Sequence, residues 1–320
     1  MSLTSNLYTI ASDSTGQKLA AVQYKGGVYT STDGGLLWLR RYSLPMTTTN
    51  RYIITSDASG TKLAVSVDSY GIWRSIDSGI TWSLSTPQNI TNTNWYCVTS
   101  DSSGTKLAAV QYNGGIFTFN SSDNTWTIQT NGLPTTGYWY SITSNSDGTI
   151  LAAVQLRGGL WTSYDSGNTW SIQTNGLPTT GYWYSITSNS DGTILAAVET
   201  KIGYGVGGGI YISKNSGLVW ESRASVVPFD LPWYGITCDS TGTKLAAIQF
   251  AVNYSTGGGI WTSNDSGTSW IQTSAPIKNW LAITSNSDGT KLAAGQLIYD
   301  LYISNDSGAN WFSIDNPNYI

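Results

Sequence analysis

The sequence predicts an all-β fold, a seven-bladed β-propeller of four-stranded antiparallel blades, and three observations predict it. One pattern, Ser-x-Asp-x-Gly-x-x-Trp, returns along the whole chain of 320 residues. The segments between its copies read as short strands divided by turn residues. No segment carries an apolar period of 3.6 over a helical length.

The copies are regular. Ser31, Asp33, Gly35 and Trp38 form the first, and Ser75, Asp77, Gly79 and Trp82 the second. Later copies run Ser163-Asp165-Gly167-Trp170, Ser263-Asp265-Gly267-Trp270 and Ser304-Asp306-Gly308-Trp311. Asn215 replaces the Asp in the copy that ends at Trp220, and Ser121-Ser122-Asp123-Asn124-Thr125-Trp126 is a degenerate one. A fixed period of this size marks a repeat architecture, which overrides chain length as a guide to domain number. The whole chain, 1–320, is therefore one domain, with blades over about 6–45, 50–88, 94–132, 138–176, 182–226, 232–275 and 279–317.

The fourth unit shows how each blade is built. Tyr138–Ser144 is rich in aromatic and β-branched residues and reads as a first strand. Asn145–Thr149 contains Asp-Gly, a hairpin signal. Leu151–Gln155 is small and continuously apolar, as a strand covered on both faces should be. Gly158-Gly159 turns the chain into Leu160–Ser163, the Asp motif makes the next turn, and Trp170–Gln173 is the fourth strand. Four such strands per unit, without helices, are the composition of a propeller blade. A β-helix has shorter repeats and lacks this hairpin punctuation. Residues 128–154 recur without change as 172–198, which indicates duplication and is silent about function.

The recurring motif resembles the Asp box, or BNR repeat, of sialidases, sortilin-type receptors and photosynthetic assembly factors, and the resemblance covers essentially the whole chain. It implies that the box is the turn between third and fourth strands, with Asp33, Asp77, Asp165, Asn215, Asp265 and Asp306 in structural roles. The side chain would accept backbone N–H bonds, the Gly would take a conformation few residues adopt, and the Trp would pack under the blade. Calcium is the alternative for so many carboxylates, but one per turn is too few ligands. No metal and no cofactor is expected.

Composition narrows the partners. Charged residues make up 11% of the chain, against a usual figure of about 25%. The net charge of −4 includes no basic stripe, so neither nucleic acid nor an anionic membrane surface is an expected partner. No apolar run is long enough for a membrane helix, so membrane insertion is not expected either. Met1–Ser5 lacks the features of a signal peptide. The 15 Trp, 20 Tyr and 35 Gly, with abundant Ser, Thr and Asn, fit an extracellular, surface or virion setting. Cys97 and Cys238 fall in the non-adjacent third and sixth units, so a bridge between them is not expected. Because the chain runs from a first strand near Leu7 to a fourth at Trp311–Ile314, ring closure should rest on packing between blades one and seven.

Function in this architecture is expected on the face carrying the blade-to-blade connections and the second-to-third strand loops, opposite the Asp boxes. An aromatic pair opens most first strands there: Trp95-Tyr96, Trp139-Tyr140, Trp183-Tyr184 and Trp233-Tyr234, then Trp280-Leu281. The first two units have Leu7-Tyr8 and Arg51-Tyr52. An amide closes the second strand: Gln23, Gln111, Gln155, Gln249 and Gln296, with Glu199 and Val67 in units five and two. Trp beside an amide is a sensible sugar site, the ring stacking on a pyranose and the amide bonding its hydroxyls. The candidate ligand-binding set is thus Trp95, Gln111, Trp139, Gln155, Trp183, Glu199, Trp233, Gln249, Trp280 and Gln296. The alternative is structural, with Trp closing the gap between blades and Gln satisfying a strand end. Long loops at Thr200–Val206 and Ala251–Thr256 make blades five and six asymmetric.

Catalysis is not expected. The chain has six arginines, two glutamates, Glu199 and Glu221, and no histidine. A sialidase-like site needs an arginine cluster, a Tyr–Glu pair and an acidic proton donor. The Arg-Ile-Pro segment of that family is absent, as are any Ser–His or Cys–His pair and a phosphate-binding loop. Arg51 and Arg157 are the arginines expected on the connection face, while Arg40, Arg41 and Arg223 follow Asp boxes. Asp68, Glu199, Asp230 and Asp300 are the carboxylates available there to a glycosidase, but they come from different blades. The expected function is a non-catalytic binding propeller that recognises glycans or a partner protein, with a structural or adhesive subunit as the alternative and a glycoside hydrolase as the third reading.

Overall fold

Twenty-eight strands and no helix make up the described part of the chain, in seven consecutive sets of four. The computed structural model describes residues 7–23, 27–41, 52–87, 90, 92–200, 208–225, 227, 232–250, 257–297 and 301–314. Every blade is an antiparallel meander whose strands pair in chain order, and the fold is a seven-bladed propeller. First strands of neighbouring blades adjoin one another around the whole ring, seventh to first included, so they form its inner wall.

Blade four shows why these residues take these places. Its strands are Gly137–Ser144, Leu151–Gly158, Leu160–Ser163 and Ser171–Gln173. Ala152 and Ala153 of the second strand are fully buried, and their small side chains let adjacent blades approach closely near the axis. Farther out the blades diverge and larger residues fill the wedge. Between blades three and four, Trp139, Ile142, Leu151 and Trp170 pack against Val110 and Ile116. Equivalent clusters lie at the other junctions, so the core is a ring of seven interfaces rather than one centre.

The second strand of blade four runs past Gln155, where the sequence placed its end, because its tip joins the next blade. Leu156 pairs with Tyr182 and Gly158 with Gly181, and in blade three Tyr112 pairs with Tyr138 and Gly114 with Gly137. Asn113 and Arg157 make this possible by taking positive φ, 55° and 62°, at the tips. Blades three, four and five thereby form a single twelve-stranded sheet.

The Ser-x-Asp-x-Gly-x-x-Trp segments are the third-to-fourth strand turns. In blade four the Ser163 hydroxyl donates to Asp165 Oδ1 (2.8 Å) and accepts the buried N–H of Gly167 (2.9 Å). Asp165 also accepts the Thr169 N–H and hydroxyl, at 2.8 and 2.6 Å. Gly167 has φ of 91°, and its carbonyl receives the Trp170 indole N–H at 2.9 Å. Asn215 does the same work in blade five, accepting from Val219 N–H and the Ser213 hydroxyl. These donors hold the carboxylates below their usual range. For Asp77 the Thr81 hydroxyl contributes most and the pKa falls to about 2; for Asp265 burial pulls upward, but the Ser269 and Ser263 bonds outweigh it and again give about 2.

A second repeat, Asx-x-x-Gly-x-Lys with Ile150 and Ile194 in place of Lys in blades four and five, lies inside the first-to-second strand turns on the same face. Asp13, Asp57, Asp101 and Asp239, with Asn145, Asn189 and Asn286, are all buried. Each accepts backbone N–H groups of its own turn, as Asp13 does from Gln17 and Lys18. The residue that follows each one bonds the next blade: Ser14 N–H to Ala58 O, Ala58 to Ser102, Ser102 to Ser146, Ser146 to Ser190, Ser190 to Ser240, Ser240 to Ser287, and Ser287 back to Ser14, all at 2.8–2.9 Å. Lys18, Lys62, Lys106 and Lys244 add bonds from Nζ to a carbonyl of the following blade. Closure between blades seven and one thus rests on a hydrogen bond of this ring as well as on packing of Leu7, Ile10 and Tyr29 against Leu301 and Ile303.

Candidate functional site

The tryptophans that open the first strands are not where a sugar could reach them. Trp95, Trp139, Trp183, Trp233 and Trp280 are each 0% exposed and sit in the clusters between blades. Trp139 meets Trp161 edge-on at 6.1 Å, and Trp233 meets Trp261 at 6.2 Å. The amides are their direct cross-strand partners, Trp95 with Gln111, Trp139 with Gln155, Trp233 with Gln249 and Trp280 with Gln296. Of the two readings the sequence allows for these pairs, the structure bears out the structural one, with Trp between blades and the amide at a strand end. Gln111, Gln155, Gln249 and Gln296 are also buried. Gln111 Nε2 donates to Asn92 O, Gln155 Oε1 accepts Gly159 N–H, and Gln249 Oε1 accepts Gly259 N–H and the Trp261 indole. The stacking-and-amide sugar site is corrected to a packing element, whose amide ties down the second-to-third strand turn in blades four and six and the connection into the first strand in blade three.

The residue after each Trp takes the surface instead. Trp139 pairs with Gln155 and Ser141 with Val154, which leaves Tyr140 as the extra residue of a β-bulge. Tyr8, Tyr96, Tyr184, Tyr234 and Leu281 occupy the same bulge, whereas blade two runs in unbroken register from Tyr52 to Ser56. The bulge breaks the alternation of the strand, so Trp turns into the blade junction and Tyr toward the axis.

Across blades three to six these tyrosines touch in series. Tyr96 meets Tyr140 at 5.3 Å between centroids, Tyr140 meets Tyr184 at 4.4 Å and Tyr184 meets Tyr234 at 5.2 Å, with interplanar angles of 42–67°. Tyr112 stacks on Tyr96 at 4.7 Å and Phe250 lies 5.5 Å from Tyr234, extending the series at both ends. All four central tyrosines are half-buried. Tyr138, 45% exposed, packs on Tyr112, and the Arg157 guanidinium lies 5.8 Å above the Tyr182 ring. The result is an aromatic arc along one side of the channel mouth, on the connection face. The signal in the sequence was the second letter of the Trp-Tyr pair, read there as an accompaniment to the first.

Glu199 stands where other blades carry Gln, cross-strand from Trp183. Burial pushes its carboxyl above the usual carboxylate range, against hydrogen bonds from the Tyr182 backbone and the Tyr211 hydroxyl (3.5 Å). Burial, with this carboxylate beside it, pushes the Tyr211 phenol up to about 12. Asp68 lies in blade two, on the turn after its second strand, away from Glu199 in blade five. Arg51, Asp230, Asp300 and residues 201–206 and 251–256 fall outside the described residues. Among the described residues no group of three or more His, Cys, Asp or Glu side chains could hold a metal ion. Asp77, Asp165, Asp265 and Asp306 of the box turns already accept bonds on both oxygens from hydroxyl, amide and backbone donors.

No known protein-family model matches this sequence, and no curated protein does. Solved structures do share the fold. The GH74 xyloglucanase from Xanthomonas campestris superposes with a TM-score of 0.74 at 12% identity, over 98% of this chain and 55% of that one. YCF48 bound to D1 peptide gives 0.69 at 15% identity over 95% and 94%, and YCF48 from Cyanidioschyzon merolae gives 0.70 at 18% over 95% and 97%. The chain spans about half the length of the xyloglucanase and nearly all of YCF48. At such identities the likeness is one of fold, and the class it defines is the β-propeller.

Proposed function

We propose that this protein is a non-catalytic binding propeller that recognises a partner protein through an uncharged segment laid across the tyrosine arc. The continuous arc at the channel mouth carries this reading. Tyrosine offers large, rigid contact area with a polar tip at low entropic cost, which suits protein recognition. The four central rings meet one another at 42–67°, and Tyr112 and Phe250 lie over the two end rings at 22° and 31°, leaving edges rather than free faces. That arrangement fits a peptide better than a pyranose, which needs an open face for stacking. A peptide-bound propeller among the structural neighbours is in keeping with it. The non-catalytic part rests on the one half-buried carboxylate described beside the arc, Glu199, where hydrolysis of a glycoside calls for two.

Affinity capture from the native source, with wild type and a Tyr140→Ala/Tyr184→Ala variant compared, tests the reading. A partner retained by wild type and lost by the folded variant supports it. A partner held equally by both, binding only on a glycan array, or turnover of a chromogenic xyloglucan oligosaccharide overturns it.

A further inference from the structure

The degenerate turn of blade three has a consequence on the opposite face. Aligned on their tryptophans, Phe119 stands where the other boxes have Ser, Ser121 where they have Asp, and Asp123 where they have Gly. All three groups that fold the box are therefore gone. The hydroxyl that received the Gly N–H is replaced by a ring, and the positive-φ glycine by a residue that resists it. The segment instead continues as a plain ladder, Phe119 opposite Trp126 and Asn120 opposite Thr125, closed by a four-residue turn in which Asn124 takes φ of 53°.

That change opens a cleft between blades three and four. The equivalent notches between blades one and two, two and three, six and seven, and seven and one hold cavities of about 10 Å³ each, enough for one water. At blade three the cavity is about 250 Å³. At roughly 30 Å³ per water this is room for about eight waters, the bulk of one small ring with its substituents, and below the roughly 300–1,000 Å³ of a drug-sized site.

Its walls say what would fill it. Leu151 and Ala108 contribute the apolar floor, while the Leu107 and Phe119 side chains pack toward blade two, and Asn120, Gln129 and Asn168 contribute amides. Thr125, Thr127 and Ser166 bring hydroxyls that make no hydrogen bond within the described protein. Gln129 is fixed by a 2.7 Å bond from Nε2 to the Thr118 hydroxyl, so part of the polar wall is already in place. One Lys and one Asp line the cleft, and Lys106 Nζ is engaged by Asp147 O. The wall is thus nearly neutral, with donors and acceptors mixed over an apolar floor.

We infer that this cleft is a binding site for a neutral polyhydroxylated molecule of monosaccharide size, separate from the tyrosine arc and on the other face. Hydroxyls of the ligand would exchange bonds with the amides and threonines, while its C–H surface rests on Leu151 and Ala108.

Titration of the isotope-labelled full chain with glucose, galactose, mannose, fucose and N-acetylglucosamine, followed by amide chemical shifts, tests this. The expected result is saturable, millimolar-range binding of at least one sugar, with shifts centred on Thr125–Gln129 and Ser166–Asn168. Rebuilding the box with Phe119→Ser, Ser121→Asp and Asp123→Gly should weaken it at least tenfold. Because that triple change touches the buried Phe119, a second variant, Thr127→Trp at an exposed position, blocks the cleft without disturbing the core and should have the same effect. Tyr140→Ala should leave it unchanged. No saturable shift with any of the five sugars, or binding that survives Thr127→Trp, overturns the inference.

Discussion

Ser163→Ala tests the account of the box turns most directly. The Ser163 hydroxyl is 1% exposed and holds two partners at once, Asp165 Oδ1 at 2.8 Å and the buried Gly167 N–H at 2.9 Å. Alanine fits the space but leaves the Gly167 N–H without an acceptor, at about 1–3 kcal/mol. It also removes one donor from Asp165, so about 2–3 kcal/mol in total is a reasonable expectation. At ~2.1 cal/mol/K per residue, the unfolding entropy of a chain this long makes each kcal/mol worth about 1.5 °C, so Tm should fall by roughly 3–5 °C. Asp165→Asn is the control. Asn215 fills the same position in blade five with the same acceptor bonds, at 3.0 Å from the Ser213 hydroxyl and 2.9 Å from Val219 N. That control should stay within about 0.5 kcal/mol of wild type. Scanning calorimetry at pH 7 reads both. Equal Tm for Ser163→Ala and wild type, or a larger loss from Asp165→Asn, would refute the assignment of the buried hydroxyl as the centre of the turn.

Three further outcomes follow from the same geometry. Asp77 and Asp265 titrate near 2 when folded against 3.8 for the free side chain, so their stabilisation is whole above pH 3.8 and is lost as pH falls toward about 2; Tm against pH should drop across that window. Glu199 has the opposite sign: its folded pKa lies above the ordinary 4.5, so stability declines as pH rises past that value, and Glu199→Gln should raise Tm at pH 7 but not at pH 4. Cys97 and Cys238 present part of their surface, yet Cys97 Sγ lies against the Val98 and Ile142 carbonyls and Cys238 Sγ against the Thr187 hydroxyl. Burial pushes both thiols up, Cys238 to about 12, so mass spectrometry should find no alkylation by iodoacetamide at pH 8 until the chain unfolds.

Much of the architecture was legible in the residues. The box marks every blade but the third, and hairpin glycines and short strands mark them all, because each unit satisfies its own turns with side chains a few positions away. The Trp–Gln pairing was legible too, as a consequence of strand register. What these pairs face was not. A single bulged residue in the first strand decides which of two adjacent aromatics looks into the junction and which into the channel, and Trp139 and Tyr140 are equally plausible for either place when read as letters. The Asx-x-x-Gly repeat of these turns was visible but gave no sign that the residue after each Asx would bond the neighbouring blade.

The sequence by itself determined that this chain is a seven-fold β repeat whose turns are held by local side-chain bonds, since local bonds need only short spacings. The tertiary structure alone decided that the tryptophans are packing, that the tyrosines form the arc at the channel mouth, and that a broken box leaves a cleft beside blade four. Each of these depends on what a neighbouring blade brings close, and neighbours some forty residues apart in the chain meet only when the ring is closed.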